Sequence, residues 1–319
     1  MNSSLILSFI WLLVGFVLLI KGADFFVEGS ASIAKRLRVP SLIIGMTIVA
    51  MGTSLPECSV SVNASLTGEN SLAVSNAVGS NIFNLMVVCG VCALFAPLAI
   101  NADTLKRDFP FSILCALGLL GLGYWGMELG RGDGILFLFV FVLFLLAMIK
   151  SAMKARAAGE NVEVEGEDAK IIPVWKSILF IVLGAAAIAF GGDLVVRSAS
   201  DIALAFGMSQ TLVGLTICAI GTSLPELVTS IVAARKNQVD MALGNVIGSN
   251  IFNILFVLGI GASISPIAFI TENMIDIAIL TIMSLVVLIF TWTKKSINRP
   301  EGACMVLMYI IYWVYICMR

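Results

Sequence analysis

Apolar residues form long runs along the chain, and short segments rich in charged residues, Gly, Pro or Asn separate these runs. A helix needs about 20 apolar residues to cross the hydrocarbon core of a bilayer. The pattern therefore predicts an all-α membrane protein with ten transmembrane helices. The predicted spans are residues 5–27, 41–66, 72–95, 109–126, 133–153, 174–198, 211–234, 240–263, 273–292 and 302–318.

The composition supports this fold class. Hydrophobic residues make up 60% of the 319 residues, charged residues only 12%, and the mean hydropathy is +1.06. A soluble domain carries about 25% charged residues, so a soluble fold is excluded. The net charge of -1 offers no positive excess for a phosphate backbone, so no nucleic-acid partner is expected. The expected surroundings are the lipid bilayer, and no obligatory protein partner is evident.

Several chemistries are excluded by residue type. The chain has no histidine, which disfavours zinc enzymes and Ser-His-Asp hydrolases. Its seven cysteines lie in apolar stretches, where a free thiol packs like a small hydrophobic group. Ser54 and Ser223 have no His or Lys base in their motifs, so an intramembrane hydrolase is not expected. We predict a protein that is not an enzyme and needs no cofactor.

The distribution of positive charge predicts the orientation in the membrane. Fifteen Lys and Arg residues fall in connections on one side of the predicted spans and three on the other. Positively charged loops stay cytoplasmic, so both termini are expected outside the cytoplasm in a multi-pass protein of the cell (inner) membrane. The N-terminal MNSS lacks a basic region and a cleavage signal, so the first span is expected to be retained.

The chain contains an internal repeat. Residues 45–97 align without a gap on residues 214–266, at an offset of 169, with 24 identities in 53 positions. The best-matched segments are GMTIVAMGTSLPE with GLTICAIGTSLPE, and NAVGSNIFN with NVIGSNIFN. We predict two five-helix repeats, 1–153 and 174–319. Because five is odd, the second repeat enters the membrane inverted, as in many secondary transporters.

A cytoplasmic acidic loop, 154–173, is predicted between the repeats. Its carboxylates either form a solvated segment or sense a cation, and the sequence leaves both interpretations open. They are Glu160, Glu163, Glu165, Glu167 and Asp168.

Each repeat places a proline and a carboxylate in the middle of a span. Pro56 and Pro225 lack the N–H that a helix needs, so both spans should break there. Glu57 and Glu226 follow directly, and an ionised group at this depth costs several kcal/mol unless it is paired. The second, third and eighth spans contain no Lys or Arg. The expected partner is a mobile cation or a proton.

The third and eighth spans add a polar face. Asn76, Ser80 and Asn84 recur every four residues and share one side of a helix, as do Asn245, Ser249 and Asn253. Such a stripe alone favours interhelical hydrogen bonds, but beside a buried acid in both repeats it favours ion ligands. Further hydroxyls come from Thr53, Ser54, Thr222 and Ser223. A site made only of oxygen suits Ca²⁺ and Na⁺, and two carboxylates balance one divalent or two monovalent ions.

The GTSLPE and GSNIFN pairs resemble the α-repeats of the cation/calcium antiporter superfamily, and the whole chain resembles bacterial and archaeal sodium/calcium exchanger-like proteins. The resemblance implies ions held between the broken second and seventh helices and the third and eighth helices. It also implies backbone oxygen ligands from Ala50 and Ala219, and helices one and six that slide as a unit. Family members commonly carry an Asp at one of the positions matching Asn84 and Asn253, whereas both are Asn here.

The sequence therefore supports a secondary antiporter that exchanges Ca²⁺ for Na⁺ by alternating access at a midplane site. The transported ions are substrates and not cofactors. One alternative couples Ca²⁺ to H⁺ on the same fold, since a carboxylate can release a proton when the metal binds. Another is a cation channel, although channels usually build rings from several subunits. The predicted metal ligands are Glu57, Glu226, Asn84, Asn253, Ser80, Ser249, Thr53, Ser54, Thr222, Ser223, Ala50 and Ala219.

Overall fold

A computed structural model of the protein describes residues 3–68, 70–100, 104–157, 171–208, 217 and 219–318. The described part is mostly helical. Its helices are α1 (Ser3–Leu37), α2 (Ser41–Ile44), α3 (Ala50–Thr53), α4 (Leu55–Thr67), α5 (Asn70–Phe83), α6 (Cys89–Phe95), α7 (Phe109–Gly126), α8 (Arg131–Ala157), α9 (Val174–Ala205), α10 (Ala219–Gly221), α11 (Leu224–Arg235), α12 (Val239–Phe252), α13 (Leu258–Ile264), α14 (Thr271–Lys294) and α15 (Arg299–Met318). Wider π-helical turns occupy Gly45–Val49, Thr104–Asp108, Asn84–Val88 and Asn253–Val257.

Among the described residues, eight helical stretches are long and apolar enough to cross a membrane, or nine if one bent pair counts as a single span. Part of the predicted span 211–234 lies outside these residues, so the count of ten stays a prediction. Residues 158–170 also lie outside them, and with them most of the predicted acidic loop 154–173. The division into repeats 1–153 and 174–319 likewise stays a prediction.

Two helices extend well beyond their predicted spans. The first runs to Leu37 and ends at Arg38, whose positive φ of 55° closes the helix end two residues before Pro40. The other, α9, runs to Ala205 and stops near Gly207, whose positive φ of 89° closes the helix end. Hydropathy marks where the membrane ends, whereas the helix continues until the backbone is interrupted.

The predicted break in the second span is confirmed. Ser41–Thr53 and α4 are bent by 51° relative to each other, and Ser54 at the corner has φ -85° and ψ 12°. The second repeat has the same local conformation, with φ -92° and ψ 4° at Ser223. In both repeats a proline stands in the first turn of the new helix, where its missing N–H costs nothing.

The helices α1 and α9 hold corresponding positions in the two repeats and pack closely in antiparallel directions. A Cβ built on Gly22 would lie 3.0 Å from the carbonyl oxygen of Gly184, and one built on Gly184 would lie 2.8 Å from that of Gly22. Gly15 and Gly191 meet in the same way. Only glycine permits this backbone approach. Because corresponding helices run in opposite directions, these parts of the two repeats are inverted.

The helices that carry the polar motifs lie inside the bundle. Every residue from Met241 to Phe252 of α12 is buried, whereas α1, α8 and α15 expose many apolar side chains, as helices facing lipid do. Two short antiparallel strand pairs, which the sequence analysis did not predict, connect the ends of helices. They are β1 (Leu98–Ala99) with β4 (Ser296–Ile297) and β2 (Glu128–Leu129) with β3 (Ile267–Ala268).

Candidate ion-binding site

The two intramembrane carboxylates stand at the start of helices. Glu57 lies in the first turn of α4 and Glu226 in the first turn of α11, and both are 0% exposed. The positive end of a helix dipole stabilises a negative charge in this position. None of the ion pairs found among the described residues involves either carboxylate. The breaks therefore create two helix starts within the membrane, each with a buried acid.

Hydrogen bonds crossed between the repeats bring the two acids together. The Ser54 hydroxyl donates to Oε1 of Glu226 at 2.7 Å, and the Ser223 hydroxyl donates to Oε1 of Glu57 at 3.2 Å. Both serines are fully buried. Each carboxylate is thus held by a hydroxyl from the opposite repeat, and the site cannot form from one repeat alone.

Asn76 and Asn245 serve as interhelical hydrogen-bonding residues. Asn76 donates to the Ser61 hydroxyl at 3.0 Å and to the backbone carbonyl of Glu57 at 3.3 Å. Asn245 likewise donates to the Ser230 hydroxyl at 2.9 Å and to the carbonyl of Glu226 at 3.5 Å. These bonds attach the third and eighth predicted spans to the broken helices. Asn76 and Asn245, the first members of the two polar stripes, therefore have a structural role.

The threonines next to the breaks complete this framework. The Thr53 hydroxyl donates to Oδ1 of Asn245 at 3.1 Å, and the Thr222 hydroxyl donates to Oδ1 of Asn76 at 3.5 Å. Thr53 also reaches the carbonyl of Ala50 at 3.3 Å, and this carbonyl accepts the Ser54 N–H at 3.0 Å as well. Ala219 begins α10, and its side chain lies outside the described part.

The other two members of each stripe have a different environment. In the described part of the chain, nine buried side-chain oxygens have no hydrogen-bond partner, and six of them belong to predicted ligands. The remaining three are on Ser30, Thr229 and Asn250. A buried unpaired polar group costs about 1–3 kcal/mol, so such a concentration needs an explanation. The six atoms are Oε2 of Glu57 and Glu226, Oγ of Ser80 and Ser249, and Oδ1 of Asn84 and Asn253.

The site adjoins a large cavity. Its volume is about 830 Å³, and its walls come from α4, α5, α9, α11, α14 and α15, with Gly221 of α10 and the adjoining Thr222. Ser80, Asn76 and Thr222 of the site region contribute to these walls, together with Val60 and Tyr312 farther along α4 and α15. The cavity therefore connects one face of the site with the end of α15.

Sequence reasoning missed two residues that the structure places between the repeats. Asn81 and Asn250 occupy corresponding positions in the GSNIFN motifs and hydrogen-bond to each other's backbone. They come one residue after Ser80 and Ser249, so the helical periodicity turns them away from the predicted ligand face. Their recurrence at the offset of 169 was the available signal.

Comparison with known proteins places this geometry in a class. Residues 7–150 and 176–318 match the family described as sodium/calcium exchanger protein. The putative antiporter CaxA of Alkalimonas amylolytica is 43% identical, over 98% of this chain and 99% of its own length. The sodium/calcium exchanger MaX1 of Methanosarcina acetivorans is 33% identical, over 96% and 97%.

A solved structure is similar over nearly the whole chain. The sodium-calcium exchanger NCX_Mj, soaked with Na⁺ and Ca²⁺, superposes with a TM-score of 0.83 at 33% identity, covering 96% of this chain and 97% of its own. The fold and these relatives define a multi-pass membrane antiporter of the exchanger type. The chain belongs to the sodium/calcium exchanger family.

Proposed function

We propose that this protein exchanges Ca²⁺ for Na⁺ across the cell (inner) membrane by alternating access at the site between the two repeats. One observation carries the proposal. Six of the nine buried oxygens without hydrogen-bond partners in the described part of the chain belong to ligands predicted from the sequence, and each repeat contributes the same three. A dehydrated cation at this point would satisfy all six.

The chemistry of these oxygens favours hard cations. Two carboxylates, two hydroxyls and two amide oxygens are the ligand types that Ca²⁺ takes in sets of about 6 to 8. Na⁺ has a similar size and hardness. The charge of two carboxylates balances one Ca²⁺ or two Na⁺, so the occupied site is electrically neutral with either substrate. That equivalence permits exchange of one ion type for the other.

The cavity supports access from one side at a time. It reaches the site beside Ser80, whereas on the opposite side α1 packs against α11. Lys236, directly after α11, bonds to the Asp24 carbonyl at 2.9 Å and to its carboxylate at 3.3 Å. The resemblance to the family implies that α1 and α9 slide as a unit. Their glycine contacts let them move here as one body.

The predicted orientation assigns a direction to this state. The cavity walls include Trp313 and Ile316 near the end of α15, and the positive-inside rule puts the C-terminus outside the cytoplasm. The conformation is accordingly open to the outside and closed to the cytoplasm. Movement of the α1–α9 pair would close the outer side and open the cytoplasmic side.

The test is Ca²⁺ uptake into vesicles that contain the purified protein and carry either a Na⁺ gradient or a pH gradient. We expect uptake with the Na⁺ gradient and none with the pH gradient. Uptake driven only by the pH gradient would identify a Ca²⁺/H⁺ antiporter on this fold. Currents far above turnover-limited exchange would identify a channel, and either result would overturn the proposal.

A further inference from the structure

Two asparagines outside the predicted ligand set form a brace between α5 and α12. Nδ2 of Asn81 donates to the backbone carbonyl of Asn250 at 3.0 Å, and Nδ2 of Asn250 donates to that of Asn81 at 3.3 Å. Both side chains are buried, at 0% and 4% exposure. The brace relates the repeats symmetrically, but its effect on the neighbouring side chains is not symmetric.

The brace fixes the orientation of the Asn81 amide and, through it, that of the Asn253 amide. A backbone carbonyl only accepts hydrogen bonds, so the atom of Asn81 that faces Asn250 has to be its nitrogen. The other amide atom, Oδ1 of Asn81, is then an acceptor, and Nδ2 of Asn253 donates to it at 3.1 Å. Because the amide is planar, Oδ1 of Asn253 must point away from Asn81. This oxygen is buried and has no partner among the described residues.

The first repeat lacks the equivalent bond. Oδ1 of Asn250 makes no hydrogen bond, and neither amide atom of Asn84 has a partner in the described part of the chain. Asn84 is nevertheless 0% exposed. Nothing from the brace therefore sets the rotation of the Asn84 amide, whereas that of Asn253 is set by a chain of donors and acceptors.

We infer that Asn81 is a positioning residue that turns the side-chain oxygen of Asn253 toward the ion. The inference rests on the proposed function, because it assumes a cation at the site. Asn253 lies one turn after Ser249, on the helical face that also carries this predicted ligand, so its free oxygen belongs to the same group of predicted ligands. The second repeat thus offers a fixed amide ligand, and the first offers one that adjusts to the ion. The inference also explains an amide at position 253, since a carboxylate oxygen there would face Oδ1 of Asn81, and both atoms are acceptors.

The repeat supplies a matched pair of variants. Asn81→Ala and Asn250→Ala each remove one brace bond from a side chain to a backbone carbonyl, but only Asn81→Ala removes the acceptor of Asn253. Ca²⁺ binding by each purified full-length variant is measured by calorimetry, and folding by thermal melting. We expect a larger loss of melting temperature in Asn81→Ala, because it also leaves Nδ2 of Asn253 without its acceptor, and a dissociation constant raised roughly fivefold more than in Asn250→Ala, the value of one hydrogen bond. Equal dissociation constants would overturn the inference.

A double-mutant cycle separates positioning from packing. In an Asn253→Ala background there is no amide to orient, so Asn81→Ala and Asn250→Ala should change Ca²⁺ affinity equally. An excess effect of Asn81→Ala that persists in this background would show that Asn81 acts through something else.

A second, nearly isosteric pair decides the matter if Asn81→Ala does not fold. Asn84→Asp adds a carboxylate where the amide has no hydrogen-bond partner among the described residues, whereas Asn253→Asp places a carboxylate oxygen against Oδ1 of Asn81. We expect Asn84→Asp to tighten Ca²⁺ binding at least several-fold more than Asn253→Asp. The inference would be contradicted if both variants gained Ca²⁺ affinity equally. It would also be contradicted if neither variant changed its affinities for cations.

The same measurements distinguish its failure from that of the proposed function. If the unmodified protein binds neither Ca²⁺ nor Na⁺, the proposed function fails and the inference falls with it. If the unmodified protein binds Ca²⁺ and the matched variants do not differ, only the positioning role of Asn81 is wrong.

Discussion

The two repeats hold nearly the same polar residues in different surroundings. Thr53 is fully buried and bonds to Asn245 at 3.1 Å, whereas Thr222 is half-buried beside the cavity and its bond to Asn76 measures 3.5 Å. Corresponding residues share chemistry and differ in packing. Which side of the site is open therefore depends on the arrangement of the helices and not on the ligands.

The glycines of the GSNIFN motifs show the same contrast. Gly248 is buried, and a Cβ built on it would lie 2.5 Å from the carbonyl oxygen of Met46. Gly79, its counterpart, lines the cavity. Under the proposed alternating access these two environments would exchange, because the half that is now sealed would open when the other closes. Variants at matched positions of the two repeats can therefore test the contrast.

The carboxylates should be equally indispensable although their surroundings differ. Glu57→Gln and Glu226→Gln each remove one of the two negative charges at the site, so both should abolish Ca²⁺ transport while the protein stays folded and inserted. Transport is measured in vesicles and folding by thermal melting. Glu272→Gln, in the exposed first turn of α14, is the control and should transport normally. Full transport by both site variants would contradict the ligand assignment.

Thiol labelling should report the open and closed sides directly. Val60 lines the cavity, and Thr229, its counterpart at the offset of 169, is 0% exposed. In a background without the native cysteines, a membrane-impermeant charged reagent should modify Val60→Cys about 10 to 1,000 times faster than Thr229→Cys, because minor conformations are populated at about 0.1–10%. The rates are followed by mass shift in detergent. Similar rates would mean that the two sides are equally accessible.

The threonine pair should differ in its contribution to stability. Thr53→Val leaves the buried Oδ1 of Asn245 without this donor and should lower the free energy of unfolding by about 1 kcal/mol. Thr222→Val should cost less, since its longer bond faces a cavity in which water can replace it. Thermal melting without added cations measures both. A larger loss in Thr222→Val would reverse the assignment of sealed and open halves.

The Asp24–Lys236 contact should make a small contribution to the closed side. Position 67, which corresponds to Lys236, is Thr, so the open side has no equivalent cation there. The pair is partly exposed, and such pairs are worth about 0.2–1 kcal/mol. Lys236→Gln should therefore raise the labelling rate of Thr229→Cys by at most about fivefold. Arg235→Gln, which removes a neighbouring exposed cation, should leave that rate unchanged.

Much of this architecture can be predicted from local sequence. Pro56 breaks its span because it lacks an N–H, and Glu57 is recognisable as a candidate ligand because charge is costly inside a membrane. The repeat also pairs each candidate ligand with a counterpart. These features depend on residue chemistry and on the helical period alone, and both can be assessed before the chain folds.

The remaining features depend on contacts between distant segments. The brace of Asn81 and Asn250 joins helices 169 residues apart, and nothing in either motif indicates that a side chain bonds to the other's backbone. Which side is open also cannot be predicted from the sequence, since the motifs of the two repeats are almost identical. The interhelical role of Asn76 also needed the fold, because Asn76 and Asn84 are the same residue type on one helical face.

The crossed bonds of Ser54 to Glu226 and Ser223 to Glu57 have a consequence for the origin of the fold. Each serine donates to the acid of the other repeat, so two copies inserted in opposite directions satisfy each other. An antiparallel homodimer of one ancestral half would thus assemble the same pair of contacts. Fusion of the copies into one gene then guarantees the two orientations and lets each half diverge separately, as Lys236 and Thr67 have done.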